Sequence, residues 1–456
     1  MAKDGKLSRL ARLGSLTGRM TGSYLSDKVK GLFADEDERK ELRERTHRDN
    51  AVRMVETLGR LKGAAMKIGQ QVAIAAQHLD LPDDVRATLS KLHAEAEPVP
   101  AARIREVVQA ELEAPISELF ADFEDAPLGT ASLAQAHAAT LPTGEAVVVK
   151  VLHDGVAESV ETDLLALRAL LASGRAMGRD KSEVDGVLRE VKDRLREELD
   201  YLQEAANIHA FATAFAGDER VRVPSLHPSL CTERVLVMDR LMGVPLEDFA
   251  SSASDETRQR AGLNLAELFF EMAFVKRLLH ADPHPGNYLF EPDGRVGLLD
   301  FGCVKRFDPY WIGHYARTVL AALDGDREAC LQAVRDLGAW VGDSPEAADA
   351  IWDFCQAVVA PWREGSYTIG GTNDSLLDRA RPVAEALWRH REIHGPPDII
   401  FLHRTLGGLY TLARRLKVTA EWGPMLRRYL GHAVGVMEGR VEDVGTRDAP
   451  PLPSGF

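Results

Sequence analysis

His280-Ala281-Asp282-Pro283-His284-Pro285-Gly286-Asn287, with Asp300-Phe301-Gly302 downstream, is the stretch that organises this chain of 456 residues. Asp282 and Asn287 are five apart, and Asn287 and Asp300 thirteen apart. Between them lie Tyr288-Leu289-Phe290, then Glu291-Pro292-Asp293-Gly294-Arg295, then Val296-Gly297-Leu298-Leu299. Two short apolar runs separated by Pro, Asp and Gly read as strand, turn, strand. Such a hairpin brings Asn287 and Asp300 to the same end. Pro283 and Pro285 flank His284, which favours a rigid turn over a metal ligand at that position.

The residue types suit one chemistry. In phosphoryl transfer the protein mostly positions groups and neutralises charge: an Asp faces the attacking oxygen, while an Asn and a second Asp hold metal ions against the phosphates. The spacing matches the kinase catalytic loop H-R-D-L-x-x-x-N, with D-F-G beyond it. Asp-Phe-Gly alone is a weak signal, and a polar loop with a chance triplet is its bland alternative. The full constellation with a hairpin between its halves is specific.

Upstream, Pro127-Leu128-Gly129-Thr130-Ala131-Ser132-Leu133-Ala134-Gln135-Ala136-His137 precedes the strand-like Ala146 to Val151. Small residues, then a strand bearing a Lys, is the order of a phosphate-covering loop followed by the Lys that pairs with phosphates. Gly129, Thr130, Ala131, Ser132 and Lys150 are therefore candidate nucleotide-binding residues. With one glycine, this loop has less access to positive φ than G-x-G-x-x-G. The spacing predicts a helix from Ser159 to Leu171 and a long one from Lys181 to about Phe215. Asp200 and Glu204, four apart, share a face of the second helix, and Glu204 is expected as the partner that fixes Lys150. A solvated acidic face is the alternative. Val235 to Met238 reads as a strand. Asp239-Arg240-Leu241-Met242-Gly243-Val244-Pro245 reads as a hinge whose backbone meets an adenine ring, with Asp239 and Met242 as candidates. An amphipathic helix from Asp255 to Leu279 is expected to lead into the catalytic loop. Beyond Asp308 the pattern is helical, with breaks near Gly325, Ser344, Gly365 to Gly371 and Gly395-Pro396-Pro397, and a disordered Pro/Gly-rich tail from about Arg440.

Composition bounds the class. A hydrophobic content of 45% and charged content of 28% are ordinary for a globular protein, and the net charge of −14 argues against nucleic acid as a partner. Residues 1–32 differ, with seven Lys/Arg against two Asp. Leu7, Leu10, Leu13, Leu16 and Met20 sit there at near-helical spacing, which fits either a helix resting on an anionic membrane surface or a basic arm. Cys231, Cys303, Cys330 and Cys355 form no CxxC, so neither a zinc site nor a disulfide framework is expected. No stretch approaches the roughly eighteen uncharged apolar residues of a membrane span, and the start lacks a secretory apolar run. The expectation is a cytoplasmic protein, free or in peripheral membrane contact. From Asn50 to Ala76, Met54, Val55, Leu58, Leu61, Ala65, Ile68 and Val72 make an apolar helical stripe that contains Lys67-Ile68-Gly69-Gln70.

Taken together, Lys67 to Gln70, Gly129 to Ser132, Glu198-Leu199-Asp200 with Glu204, and the Asp282 to Asn287 loop resemble the UbiB/ADCK/AarF family of atypical kinases, which includes coenzyme Q biosynthesis ATPase-like proteins. Asn50 to Leu58, Gly155-Val156-Ala157, and Leu402-His403-Arg404 to Gly407-Gly408 add to the likeness, which covers roughly residues 45 to 440. The resemblance implies an α+β fold: a two-lobed protein-kinase-like domain with a mostly helical C-lobe and an N-terminal helical extension. The expected boundaries are a charged arm over 1–48, the extension over 49–125, an N-lobe over 126–240, a C-lobe over 241–440 and a tail over 441–456. It implies that Lys67 and Gln70 form a lid contacting Glu198 and Asp200 where a peptide substrate would bind. It also implies that Asp282 is the catalytic acid, that Lys150 and Lys67 assist it, and that Asn287 and Asp300 are metal ligands. ATP or ADP with Mg²⁺ is the implied cofactor set, and proteins of quinone or prenyl-lipid metabolism the implied partners. Gly129 stands where the family usually has Ala, which bears on ADP against ATP preference. A small-molecule phosphotransferase of the aminoglycoside or choline kinase type and a nucleotide-binding pseudokinase scaffold are the alternatives.

Overall fold

A computed structural model describes residues 98–131, 133–156, 199–363, 365–372, 374–387 and 389–445. Lys67, Gln70, Ser132 and Glu198, and with them the lid, the N-terminal arm and the helix expected over Ser159 to Leu171, lie outside the described residues. The chain divides into two compact units. One contains the described residues up to Gln203 together with His227–Asp239, and the other contains Glu204–Leu226 and the described residues from Arg240 onward. The chain passes from one unit to the other between Asp239 and Arg240, within the stretch read as a hinge.

The first unit is a four-stranded antiparallel sheet in the order β1-β2-β3-β5, with β1 over Asp122–Thr130, β2 over Ala134–Thr140, β3 over Ala146–Leu152 and β5 over Val235–Asp239. On β3 the β-branched run supplies the period-two pattern. Val147, Val149 and Val151 are buried on one face with Val235 and Val237 of β5. Helix α1 (Ala101–Glu111) covers that face through Ile104, Val107 and Val108, with the short α2 (Ile116–Leu119) and Phe120 beside it. The residues placed last in the helical extension by sequence thus share one core with the sheet. Lys150, between Val149 and Val151, projects from the opposite face.

Helix α3 (Tyr201–Ala214) opens at Tyr201. The periodic charged pattern predicts a helix running through from Lys181, and the structure corrects this at Leu199–Asp200. The Asp200 carboxylate accepts hydrogen bonds from the N–H groups of Leu202 at 3.0 Å and Gln203 at 3.1 Å. Asp200 is therefore an N-cap rather than a helical neighbour of Glu204.

The second unit is mainly helical. Its first sheet runs β4-β8-β7, with β4 over Val221–Arg222, β7 over Tyr288–Phe290 and β8 over Val296–Leu298. The hairpin read from sequence is present: Tyr288 pairs with Leu298 and Phe290 with Val296, and Gly294 closes the turn at φ 86°. Helices α4 (Leu246–Ser252) and α5 (Asp255–Phe270) precede it. The helix expected to reach Leu279 ends sooner. A wider π-turn spans Glu271–Val275, Arg277 adopts φ 53°, and Leu278–His280 becomes strand β6, paired antiparallel with β9 (Val304–Arg306). Helices α6 (Pro309–Asp324), α7 (Arg327–Asp336), α8 (Pro345–Arg363), α9 (Leu376–Leu387), α10 (Pro397–Leu416) and α11 (Trp422–Met437) follow, with the breaks near the expected positions. A small ladder of β10 (Ser366–Thr368) and β11 (Thr419–Glu421) adds strands that the helical pattern hid. Residues 441–445, expected in a disordered tail, are anchored: the Asp443 carboxylate meets the buried Arg277 guanidinium at 2.5 Å. Among the described residues no helix is long and apolar enough to cross a membrane.

Candidate active site

Strand β6 runs into the loop from Asp282 to Asn287. His280 ends it, fully buried, and its Nε2 bonds the Asp300 carbonyl oxygen. His280 also packs edge-on to Phe301 with ring centroids 5.4 Å apart. Burial holds the imidazole below its ordinary pKa despite the opposing pull of Asp282 and Asp300, so it is neutral at pH 7. This neutral ring couples the segment before Asp282 to the Asp300-Phe301-Gly302 turn.

The loop itself folds back on its ends. The Asn287 side-chain amide donates to Asp282 Oδ2 at 2.7 Å. Gly286 N–H donates to His284 Nδ1 at 3.1 Å and Asn287 N–H to the His284 carbonyl at 2.9 Å, so His284 caps the turn, in agreement with the reading from its flanking prolines. Leu299 N–H donates to the Asn287 carbonyl at 3.1 Å, which extends the hairpin by one pair and brings the residue before Asp300 alongside Asn287. Asp300 Oδ1 accepts from Gly302 N–H at 3.0 Å and fixes its own turn.

Phe301 is gripped by α3. Glu204, 4% exposed, accepts the Phe301 N–H at 3.2 Å, and the Asn207 amide donates to the Phe301 carbonyl at 2.9 Å. Arg306 in turn donates to Asn207 Oδ1 at 3.3 Å. The sequence marks Glu204 as a site residue but leaves Asn207 and Arg306 unassigned. The three-residue step from Glu204 to Asn207 along one helix face was the available signal.

In the sheet unit, Lys150 lies with its ammonium 5.7 Å from the centroid of the Tyr201 ring, a cation–π contact. Gly129 and Thr130 are the last residues of β1, paired with Ala136 and Gln135, and Ala131 N–H donates to the Ala134 carbonyl at 2.8 Å. The expected loop is thus a short turn on a hairpin. A Cβ on Gly129 would meet nothing within 4 Å, so the turn does not require glycine there. Asp239 accepts from or pairs with His227 Nε2 at 2.9 Å, and Met242 is 75% exposed.

The donor set of the loop suits a hard cation. Among the described residues no three His, Cys, Asp or Glu side chains converge on one point. The candidate ligands are instead one amide and one carboxylate, Asn287 and Asp300. Because the Asn287 nitrogen is engaged by Asp282, its oxygen is the end available as a ligand, and amide and carboxylate oxygens are what Mg²⁺ prefers. A cavity of about 790 Å³ elsewhere in the helical unit, around Arg220, Arg222, Arg260 and Asn264, is lined by none of these residues. Arg220 there is already tied to Asp218 at 2.6 Å and Glu267 at 2.9 Å.

Known proteins similar to this chain fall in one family. The ABC1 atypical kinase-like domain matches residues 91–334. The chain is 32% identical to the mitochondrial atypical kinase COQ8B of Rattus norvegicus over 370 residues, which is 80% of this chain and 69% of that protein. It is 33% identical to the probable protein kinase UbiB of Marinobacter nauticus over 354 residues, 74% of this chain and 61% of that one. Among solved structures it is similar to Rv3197 of Mycobacterium tuberculosis, determined as a complex with erythromycin, with a TM-score of 0.61 and 25% identity over 88% of this chain and all of the other. With a kinase-like small sheet unit and a helical unit, the chain belongs to the ABC1 family of atypical kinases, the kinase-like proteins that include COQ8 and UbiB.

Proposed function

We propose that the protein is a Mg²⁺-dependent, ATPase-like atypical kinase that serves quinone or prenyl-lipid metabolism. The observation that carries the reading is the Asp282–Asn287 bond closing the loop at the same end of the hairpin from which Asp300 emerges. Asp282 orients the attacking oxygen and accepts its proton. Asn287 and Asp300 offer the oxygen ligands for Mg²⁺, which when bound neutralises phosphate charge that builds as the phosphoryl group leaves. Lys150 supplies a cation to the phosphates, and Gly129 to Ser132 cover them. Asp239 and Met242 meet the adenine. Lys67 and Gln70, with Glu198 and Asp200, form the lid that keeps peptides out.

Nucleotide titration in Mg²⁺ and in EDTA tests the reading, with Mg²⁺-dependent binding and slow hydrolysis expected. Absence of nucleotide binding in Mg²⁺ would sink it. Asp282→Asn is expected to lower kcat about a hundredfold with little change in nucleotide affinity, the usual scale for losing a positioned acid or base. Unchanged hydrolysis in that variant would point to a scaffold. Gly129→Ala is expected to fold as the wild type does and to shift the ADP against ATP affinity ratio, measured by competition. An unaltered ratio would remove Gly129 from the preference. Deletion of residues 1–32 is expected to abolish co-sedimentation with anionic vesicles; retained binding would place membrane contact elsewhere.

A further inference from the structure

Helix α10 carries Leu402-His403-Arg404 and Gly407-Gly408, which the roles above leave unused. Arg404 and Gly408 are four apart and share one face. That face meets the catalytic loop on both sides of Asp282. The Arg404 guanidinium donates to the Ala281 carbonyl at 2.6 Å and reaches Cys303 Sγ at 3.5 Å. Ala281 N–H already donates to the Cys303 carbonyl at 2.9 Å, so one guanidinium joins the catalytic loop to the segment after Asp300-Phe301-Gly302. Gly408 sits against Pro283: a Cβ there would collide with Cβ and Cγ of that ring. Nearer the N-terminus of α10, Asp398 pairs with Lys305 of β9 at 2.5 Å.

We propose that α10 sets the catalytic loop, with Arg404 and Gly408 acting as positioning residues for Asp282. The proposal rests on the ATPase reading above for its kinetic consequence but not for its structural one. Asp282 is held between two prolines, Pro283 and Pro285, on one side and the Ala281 peptide on the other. A donor on the Ala281 carbonyl and a close-packed floor under Pro283 therefore fix where its carboxylate points. A misplacement of about 1 Å costs on the order of a hundredfold in such sites.

The test uses the full chain with Arg404→Gln, Arg404→Lys, Gly408→Ala and Gly407→Ala. Gly407 is the internal control, since a Cβ there meets nothing within 4 Å. Two readouts are taken: kcat and KM for Mg²⁺-ATP, and amide hydrogen exchange over residues 280–287. Arg404→Gln and Gly408→Ala are expected to lower kcat by about tenfold to a hundredfold, with KM within about threefold, and to speed exchange in the loop. Arg404→Lys should recover much of the loss, and Gly407→Ala should match the wild type. Exchange and kcat both unchanged in Arg404→Gln would overturn the proposal. So would kcat and nucleotide affinity falling together in proportion to unfolded protein, or Gly407→Ala and Gly408→Ala behaving alike. If the wild type hydrolyses no ATP, the functional reading fails, and exchange over 280–287 alone decides the role of α10.

Discussion

Asp300→Asn is expected to lower Mg²⁺-dependent ATP hydrolysis by about a thousandfold or more, the scale on which single charged groups act at a transferring phosphoryl. The bond that holds the Asp300 turn tolerates this substitution. Asp300 Oδ1 accepts the Gly302 N–H, and an Asn oxygen accepts it equally, so the turn survives. The bond from His280 goes to the Asp300 backbone carbonyl, which no side-chain change touches. The grip of Glu204 and Asn207 is on Phe301. What is lost is the negative charge of one of the two proposed ligands, and an amide holds Mg²⁺ far more weakly than a carboxylate. Steady-state hydrolysis beside a melting curve measures it. Activity within tenfold of the wild type, at unchanged stability, would remove Asp300 from the metal site.

What the sequence disclosed and what it hid follow from the range of the interactions. The Asp282 and Asn287 spacing was legible because the two residues bond each other within one loop. The hairpin was legible because Pro292, Asp293 and Gly294 mark its turn. Strand β3 was legible because the valines around Lys150 alternate. The strand Leu278–His280 was hidden: three apolar residues directly after a helical pattern add no period of their own, and only the partner Val304–Arg306 makes them a strand. The break at Asp200 ran against a charged pattern that continued through it, although Asp ahead of a helical run is itself a capping signal. The hold of Arg404 on Ala281 joins residues 123 apart in sequence, where no local pattern reaches. Glu204 is legible through its helix, and its bond to Phe301 N–H is not, because it depends on a turn 97 residues away.

The anchored segment beyond α11 carries the second large effect. Arg277 is 3% exposed in its side chain, and Asp443 is 23% exposed. The guanidinium donates to the Phe307 carbonyl at 3.1 Å, and Asp443 Oδ1 also takes the Gly445 N–H at 3.0 Å, which curls the segment over the Arg. A Cβ at Gly445 would collide with that guanidinium, so the packing there is close. Asp443→Ala leaves a buried cation without its carboxylate, and breaking such a pair costs about 3 kcal/mol. The expected result in urea denaturation is a lower midpoint at unchanged slope. A chain ending at Arg440 should lose as much. Arg277→Met combined with Asp443→Ala should recover part of the loss, because no uncompensated charge remains. A midpoint unmoved in Asp443→Ala would show that the segment rests on the surface without holding it. Arg277 stands one residue before β6, and β6 runs directly into Asp282. The variant's loss of stability should therefore come with faster amide exchange in Leu278 to His280 before it reaches the hairpin of Tyr288 and Leu298.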